Sequence, residues 1–152
     1  MKKFTLALTV ILVIASCAFA DPTSDLFKAV KNENSTPQDV RIPIRRGAEL
    51  NHRNSNGWTP LDLAAMNPNS DVIYTFLKEG DQEIRINMRD EYGNTALMKA
   101  AYYNDNPEVV KILIDFGADV NIKNDIGQTA LDFARTEEIK QIILDAAGEK
   151  KL

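Results

Sequence analysis

Cysteine occurs once in the 152 residues, at position 17, and histidine once, at position 52. A single thiol closes no intramolecular disulfide, and without clustered Cys and His a zinc site has nothing to build on. A basic tract is also missing: 18 Lys and Arg stand against 22 Asp and Glu, a net charge of −4. That balance disfavours nucleic acid as a partner. Beyond the first twenty residues no apolar run approaches the roughly 20 residues that span a bilayer, so no transmembrane segment is expected. Ser24, Ser35, Ser55 and Ser70 lie outside any G-x-S-x-G elbow, and no P-loop or G-x-G-x-x-G is present. From Asp119 to Gly127 the chain briefly suggests a calcium loop, but Lys123 and Asn124 stand where a ligand and a glycine are needed. His52 has neither a second His nor a Cys beside it. No catalytic residue, metal ligand or cofactor is assigned.

The first twenty residues read differently. Lys2 and Lys3 precede an apolar run from Phe4 to Ala15, and Ala18-Phe19-Ala20 forms an A-x-A site before Asp21. This is the layout of a secretory signal peptide, so residues 1–20 are expected to be removed and 21–152 to form the domain. Ile14-Ala15-Ser16-Cys17 also resembles a bacterial lipobox, which would make Cys17 the lipidated first residue. Cleavage after Ala20 is preferred, because the residues after Cys17 stay apolar up to that site. Either route predicts an exported protein, periplasmic or secreted, or anchored by lipid as a lipoprotein; the short Lys-Lys start leans bacterial. The segment holds two of the 18 basic residues and none of the 22 acidic ones, so the rest of the chain carries −6.

Internal repetition dominates what remains. Asn56-Gly-Trp-Thr-Pro-Leu-Asp-Leu-Ala-Ala65, Tyr92-Gly-Asn-Thr-Ala-Leu-Met-Lys-Ala-Ala101 and Ile126-Gly-Gln-Thr-Ala-Leu-Asp-Phe-Ala-Arg135 align, their glycines 36 and 34 residues apart. Between them runs a second ladder: Gly47-Ala-Glu-Leu-Asn51, Gly80 with Asn87, Gly117-Ala-Asp-Val-Asn121, and Gly148. Thr59, Thr95 and Thr129 are placed as helix N-caps, and Pro60 suits a first helical position. Thr59-x-x-Asp62 and Thr129-x-x-Asp132 match the capping box. Ile73, Phe76 and Leu77, then Val109, Ile112, Leu113 and Phe116, then Ile139, Ile142 and Ile143, form the apolar stripes of second helices. The ladder glycines are expected to end those helices in the left-handed conformation.

On these residues the chain resembles the ankyrin repeat family, with its period of about 33 and its T-P-L-H-x-A signature. The resemblance implies an all-α solenoid of stacked helix-turn-helix units with β-turn finger loops, unable to bury its faces except by stacking. The expected units are a divergent one over about 21–53, then 54–89, 90–123 and 124–148. Several departures stand out. Asp62, Met98 and Asp132 replace the signature His; the acids suit the cap, and Met98 is expected to be a packing substitution. Pro43 aligns with Leu113 in mid-helix, where it removes a hydrogen bond and costs about 3 kcal/mol. The first unit is therefore expected to have a kinked or shortened helix and to be the least regular and least stable. Three extra residues near 81–85 are expected to enlarge a finger-side loop.

Ankyrin repeats hold protein partners on the concave side formed by finger turns and first helices. By register the resemblance implies Arg53, Ser55, Asn56 and Trp58, then Arg89, Glu91, Tyr92 and Asn94, then Lys123, Asp125, Ile126 and Gln128 on the fingers. On the first helices it implies Met66, Asn67, Tyr102 and Tyr103. The residues themselves agree in part, since the one Trp and three of the four Tyr fall in this set. Trp58, Tyr92, Tyr102 and Tyr103 are expected to form one aromatic strip, because such side chains bury large area and keep a polar handle. The reading is a non-catalytic, monomeric adaptor or inhibitor of an exported protein, whose acidity favours a basic partner surface. The alternative is a small secreted hydrolase using finger-loop carboxylates. Asp62 and Asp132 argue against it, since a helix N-terminus lowers a carboxyl pKa and a general acid needs the reverse.

Overall fold

The computed structural model describes residues 21–80 and 83–149, within which eight α-helices and no strands occur. They are α1 (Pro22–Lys31), α2 (Pro37–Arg45), α3 (Pro60–Met66), α4 (Ser70–Gly80), α5 (Ala96–Tyr103), α6 (Pro107–Asp115), α7 (Ala130–Phe133) and α8 (Glu137–Glu149). Odd-numbered helices pack side by side as one layer, and even-numbered helices as another, each pair making one unit. The proposed leader and Cys17 lie outside the described residues.

The layers close because each helix buries one stripe. Leu61, Ala64 and Ala65 of α3, and Leu97, Ala100 and Ala101 of α5, are buried, and their small residues bring neighbouring inner helices close. Val72, Ile73, Phe76 and Leu77 of α4 and Val109, Val110, Ile112 and Leu113 of α6 fill the space between layers. Each buried Val, Leu, Ile or Phe contributes roughly 1.5–3 kcal/mol.

Helix starts follow the sequence. The Asp62 carboxylate accepts from the Thr59 N–H at 2.8 Å, and Asp132 accepts from the Thr129 N–H at 2.7 Å. Met98 takes no part in such a box and is buried, as a packing substitution should be. Thr36 and Asp39 add a box on α2 (2.8 Å) that the repeat pattern did not show.

Helix ends depart from it. Gly47 (φ +87°) and Gly117 (φ +98°) take the left-handed conformation. Gly80 is still helical and Gly148 lies inside α8, so neither ends a helix in this way. A Cβ on Gly80 would press on the ends of the Ile84 and Leu50 side chains, which would have to shift. The three-residue insert falls at this helix end. Asn51 bonds the Glu83 carbonyl (2.8 Å) and the Arg85 N–H (2.9 Å), as Asn87 bonds Gly117 (3.4 Å) and Asp119 (2.9 Å). From Glu83 onward the chain is thus back in register, and the extra length sits before it.

Pro43 does not shorten its helix. Both α2 and α6 run nine residues, and the Pro43 carbonyl accepts from the Ala48 N–H (3.1 Å) as that of Leu113 accepts from Ala118 (2.9 Å). The bond that proline forgoes would run to Asp39 in the first turn, and its ring is buried where the leucine would be.

Units are tied by asparagines at the turn between their two helices. The Asn67 amide donates to the Val30 carbonyl (2.8 Å) and the Asn32 carbonyl (3.2 Å) of the unit before. Asn104 repeats this on Ala65 (3.1 Å) and Asn67 (2.8 Å). These carbonyls end inner helices and would otherwise lack intrahelical partners.

Candidate functional site

Three finger turns carry the site. Each is closed by a backbone pair, from Asn54 to Trp58, Asp90 to Asn94 and Asn124 to Gln128, at 2.9, 2.9 and 2.8 Å. The side chain at the first position braces the turn: Asp90 Oδ1 accepts from the Tyr92 and Asn94 N–H groups, both at 2.9 Å. Asn54 and Asn124 do the same in their turns. Arginines then link finger to finger. Arg53 donates to the Gly57 carbonyl (2.7 Å) and the Arg89 carbonyl (2.6 Å), and Arg89 donates to Gly93 (3.1 Å) and to Asp125 Oδ1 (2.7 Å). Arg53, Arg89 and Asp125 are therefore exposed but already engaged in holding the fingers.

Tyr102 and Tyr103 are the last two residues of α5, which stops because Asn104 turns extended and ties its amide backward. Their rings meet edge to face at 4.7 Å and 85°, and Tyr102 meets Phe133 at 6.2 Å and 90°. Tyr92, 72 % exposed, stands on its finger opposite, with Trp58 half-buried on the finger before. Together these side chains wall a hollow of about 410 Å³ with Asn94 and Met98. The four residues of the expected strip all line it. Tyr74 stands apart on α4, edge to face with Phe116 at 6.0 Å and under the Lys78 ammonium.

The other expected surface positions divide. Ser55, Asn56, Glu91, Lys123 and Ile126 are exposed on the fingers, and Met66 and Gln128 are half-buried. None of these seven lines the hollow. Asn67 leaves the set altogether. It is 3 % exposed and its amide is committed to the unit before, so it holds the stack together and offers a partner nothing.

Sequence reasoning missed four residues of the hollow, Asp90, Met98, Lys99 and Phe133. Phe133 aligns with Leu63 and Lys99, and its ring extends the strip. Lys99 itself is 6 % exposed and forms the floor. Its ammonium lies 2.8 Å from Asp62 Oδ1 and 2.9 Å from Asp90 Oδ2, a buried pair of carboxylates around one cation. The sequence carried a signal for it: Asp90 stands where the other two fingers have asparagine, and a lysine interrupts an apolar helix.

The Asp90 carboxylate is held charged. Burial pushes the Asp90 carboxyl up, but the Lys99 ammonium and the Asn94 and Tyr92 N–H groups outweigh it and leave it below its ordinary value. The Thr129 N–H and hydroxyl lower Asp132, the Thr36 hydroxyl and N–H lower Asp39, and the Arg41 guanidinium lowers Glu79. None has the raised pKa of a general acid. Each folded value lies below the unfolded one, so its stabilisation is complete above about pH 5 and is lost as pH falls through the folded values. Melting temperature followed by circular dichroism is expected to fall steadily from about pH 5 downward. A flat or rising profile there would contradict these assignments.

Among the described residues no group of three His, Cys, Asp or Glu side chains is placed to hold a metal ion, and no helix is long and apolar enough to cross a membrane. His52 Nδ1 lies 2.9 Å from Glu49 Oε2, with its ring edge to face against Phe27.

Comparison with known proteins adds the following. A family described as ankyrin repeats (3 copies) matches residues 26–124 and 76–150. Alpha-latrotoxin-Lg1a of Latrodectus geometricus is 33% identical over 106 residues, 70% of this chain and 8% of the toxin. Mitochondrial disaggregase of Bos taurus is 28% identical over 166 residues, 86% of this chain and 24% of its own length. Ankyrin repeat and SAM domain-containing protein 6 of Rattus norvegicus is 37% identical over 110 residues, 71% of this chain and 12% of its own. The chain thus spans a quarter or less of these curated relatives.

Proposed function

The chain belongs to the ankyrin repeat family, and from that premise we propose that it is a non-catalytic binding module holding a protein partner over the aromatic hollow. The observation that carries this is the gathering of Trp58, Tyr92, Tyr102, Tyr103 and Phe133 around one opening on the finger side. Exposed aromatic surface of this kind is costly to leave in water and is typical of interface centres. Nothing in the fold requires it, since Tyr102 and Tyr103 follow the buried part of α5 and keep about half their area in solvent.

The proposal extends to the setting. An exported adaptor or inhibitor fits the leader-like first twenty residues, and a net charge of −4 favours a basic partner surface and salt-sensitive association.

The test is affinity capture with the wild type and with Tyr102→Ala/Tyr103→Ala, run separately on exported and retained fractions. Loss of two anchor residues is expected to weaken capture by about tenfold or more, with melting shifted by only a few degrees. A variant that stays folded and captures as before would refute the interface. Partners found only in the retained fraction would refute the setting.

A further inference from the structure

We propose that the aromatic hollow receives an arginine side chain of the partner. This rests on the protein-binding reading above and adds the chemistry of what enters.

The walls favour a cation. Trp58, Tyr92, Tyr102, Tyr103 and Phe133 present π faces and edges, and Tyr102 stands nearly perpendicular to both Tyr103 and Phe133. A guanidinium stacks flat on one ring while its N–H groups reach sideways to tyrosine oxygens. The floor points the same way. Asp62 and Asp90 place two negative charges around the single positive charge of Lys99, leaving −1 under the hollow. This excess is poorly screened, because all three side chains are less than a tenth exposed. Two neighbouring cations have anionic partners of their own, and Arg53 is held on the Gly57 and Arg89 carbonyls. Arg89 is paired with Asp125 at 2.7 Å, and Arg135 lies 3.8 Å from Asp105.

Other occupants fit less well. A carboxylate would meet π faces and a net negative floor. An apolar anchor would cover Asp90 and Lys99 without giving them anything. Lysine carries the right sign, but its ammonium is more strongly hydrated and cannot stack as a plane.

The probe is the fluorescence of Trp58, the one tryptophan, titrated with the tripeptide amides acetyl-Gly-Arg-Gly, acetyl-Gly-citrulline-Gly and acetyl-Gly-Glu-Gly. Citrulline keeps the shape of arginine and removes its charge. The arginine peptide is expected to bind about fivefold or more tightly than the citrulline peptide, and the glutamate peptide weakest. Asp90→Asn keeps the turn, since Asn54 and Asn124 brace the same turn elsewhere. It takes the floor from −1 to 0 and is expected to erase most of the preference for arginine over citrulline.

Equal binding of arginine and citrulline peptides, tighter binding of the glutamate peptide, or no response to any would overturn the proposal. If that happens while the double tyrosine variant still loses partner capture, the occupant is wrong and the interface stands. If capture is also unaffected, both fall.

Discussion

Lys99→Leu is expected to lower the unfolding free energy by about 3–5 kcal/mol, although leucine is the residue at the matching position 63. The reason is what the lysine leaves behind. Asp62 and Asp90 are 6 % and 8 % exposed at their side chains, and each loses the Lys99 ammonium beside it. A second substitution separates this from a simple packing change. Asp90→Asn together with Lys99→Leu gives the middle unit the Asn-and-apolar combination of its neighbours, Asn54 with Leu63 and Asn124 with Phe133. Only Asp62 then remains charged, still bonded by the Thr59 N–H and hydroxyl. The double variant is expected to recover at least about 1 kcal/mol relative to Lys99→Leu, a coupling energy that urea titration of all three variants measures. A Lys99→Leu cost below about 1 kcal/mol, or strict additivity, would show that the ion triad contributes no more than a surface pair.

Gly93→Ala is expected to cost about 2–4 kcal/mol, while Gly127→Ala costs only about 1–2. Both glycines are at positive φ, +79° and +85°, in corresponding finger turns, so the intrinsic backbone penalty is shared. Surroundings make the difference. A Cβ on Gly93 would stand 2.6 Å from Asp125 Oδ1 and 2.8 Å from the Asp125 backbone nitrogen, and no side-chain rotation relieves the second contact. It would also push against Arg89, which bonds that same carboxylate. Around Gly127 nothing lies within 4 Å. Thermal melts of the two variants side by side decide it: equal losses would mean that the link between the second and third fingers carries no weight.

The sequence made the stacking legible because every part of it recurs. Thr59, Thr95 and Thr129 cap helices, and Gly57, Gly93 and Gly127 share one turn, so period alone identifies them. Singular features were harder. Lys99 reads as a solvated charge until Asp62 and Asp90 are seen 37 and 9 positions away in sequence and within 3 Å in space. Asn67 reads as a surface asparagine, because its composition and position do not say whether its amide faces water or the carbonyls of the unit before. Gly80 follows the ladder in sequence but not in conformation, since it is still the last residue of α4 rather than a left-handed residue after it. Pro43 leaves the helix length unchanged, because the one bond it forgoes, to Asp39, is flanked by bonds that remain and its ring fills the leucine position. The aromatic strip came through because large rings outside the repeat code need a separate reason, yet Phe133 hid in the register of Leu63.

The asparagine straps have a consequence for how the chain is made. Asn67 and Asn104 each reach carbonyls 35 to 39 positions earlier. During synthesis from the N-terminus, an inner helix emerges with its last carbonyls bare and waits one unit for the amide that finishes it. Assembly therefore lags translation by about one unit, and the wait is short and equal at each of these joints. Long-range closure, the slow step in many folds, is never asked of these straps.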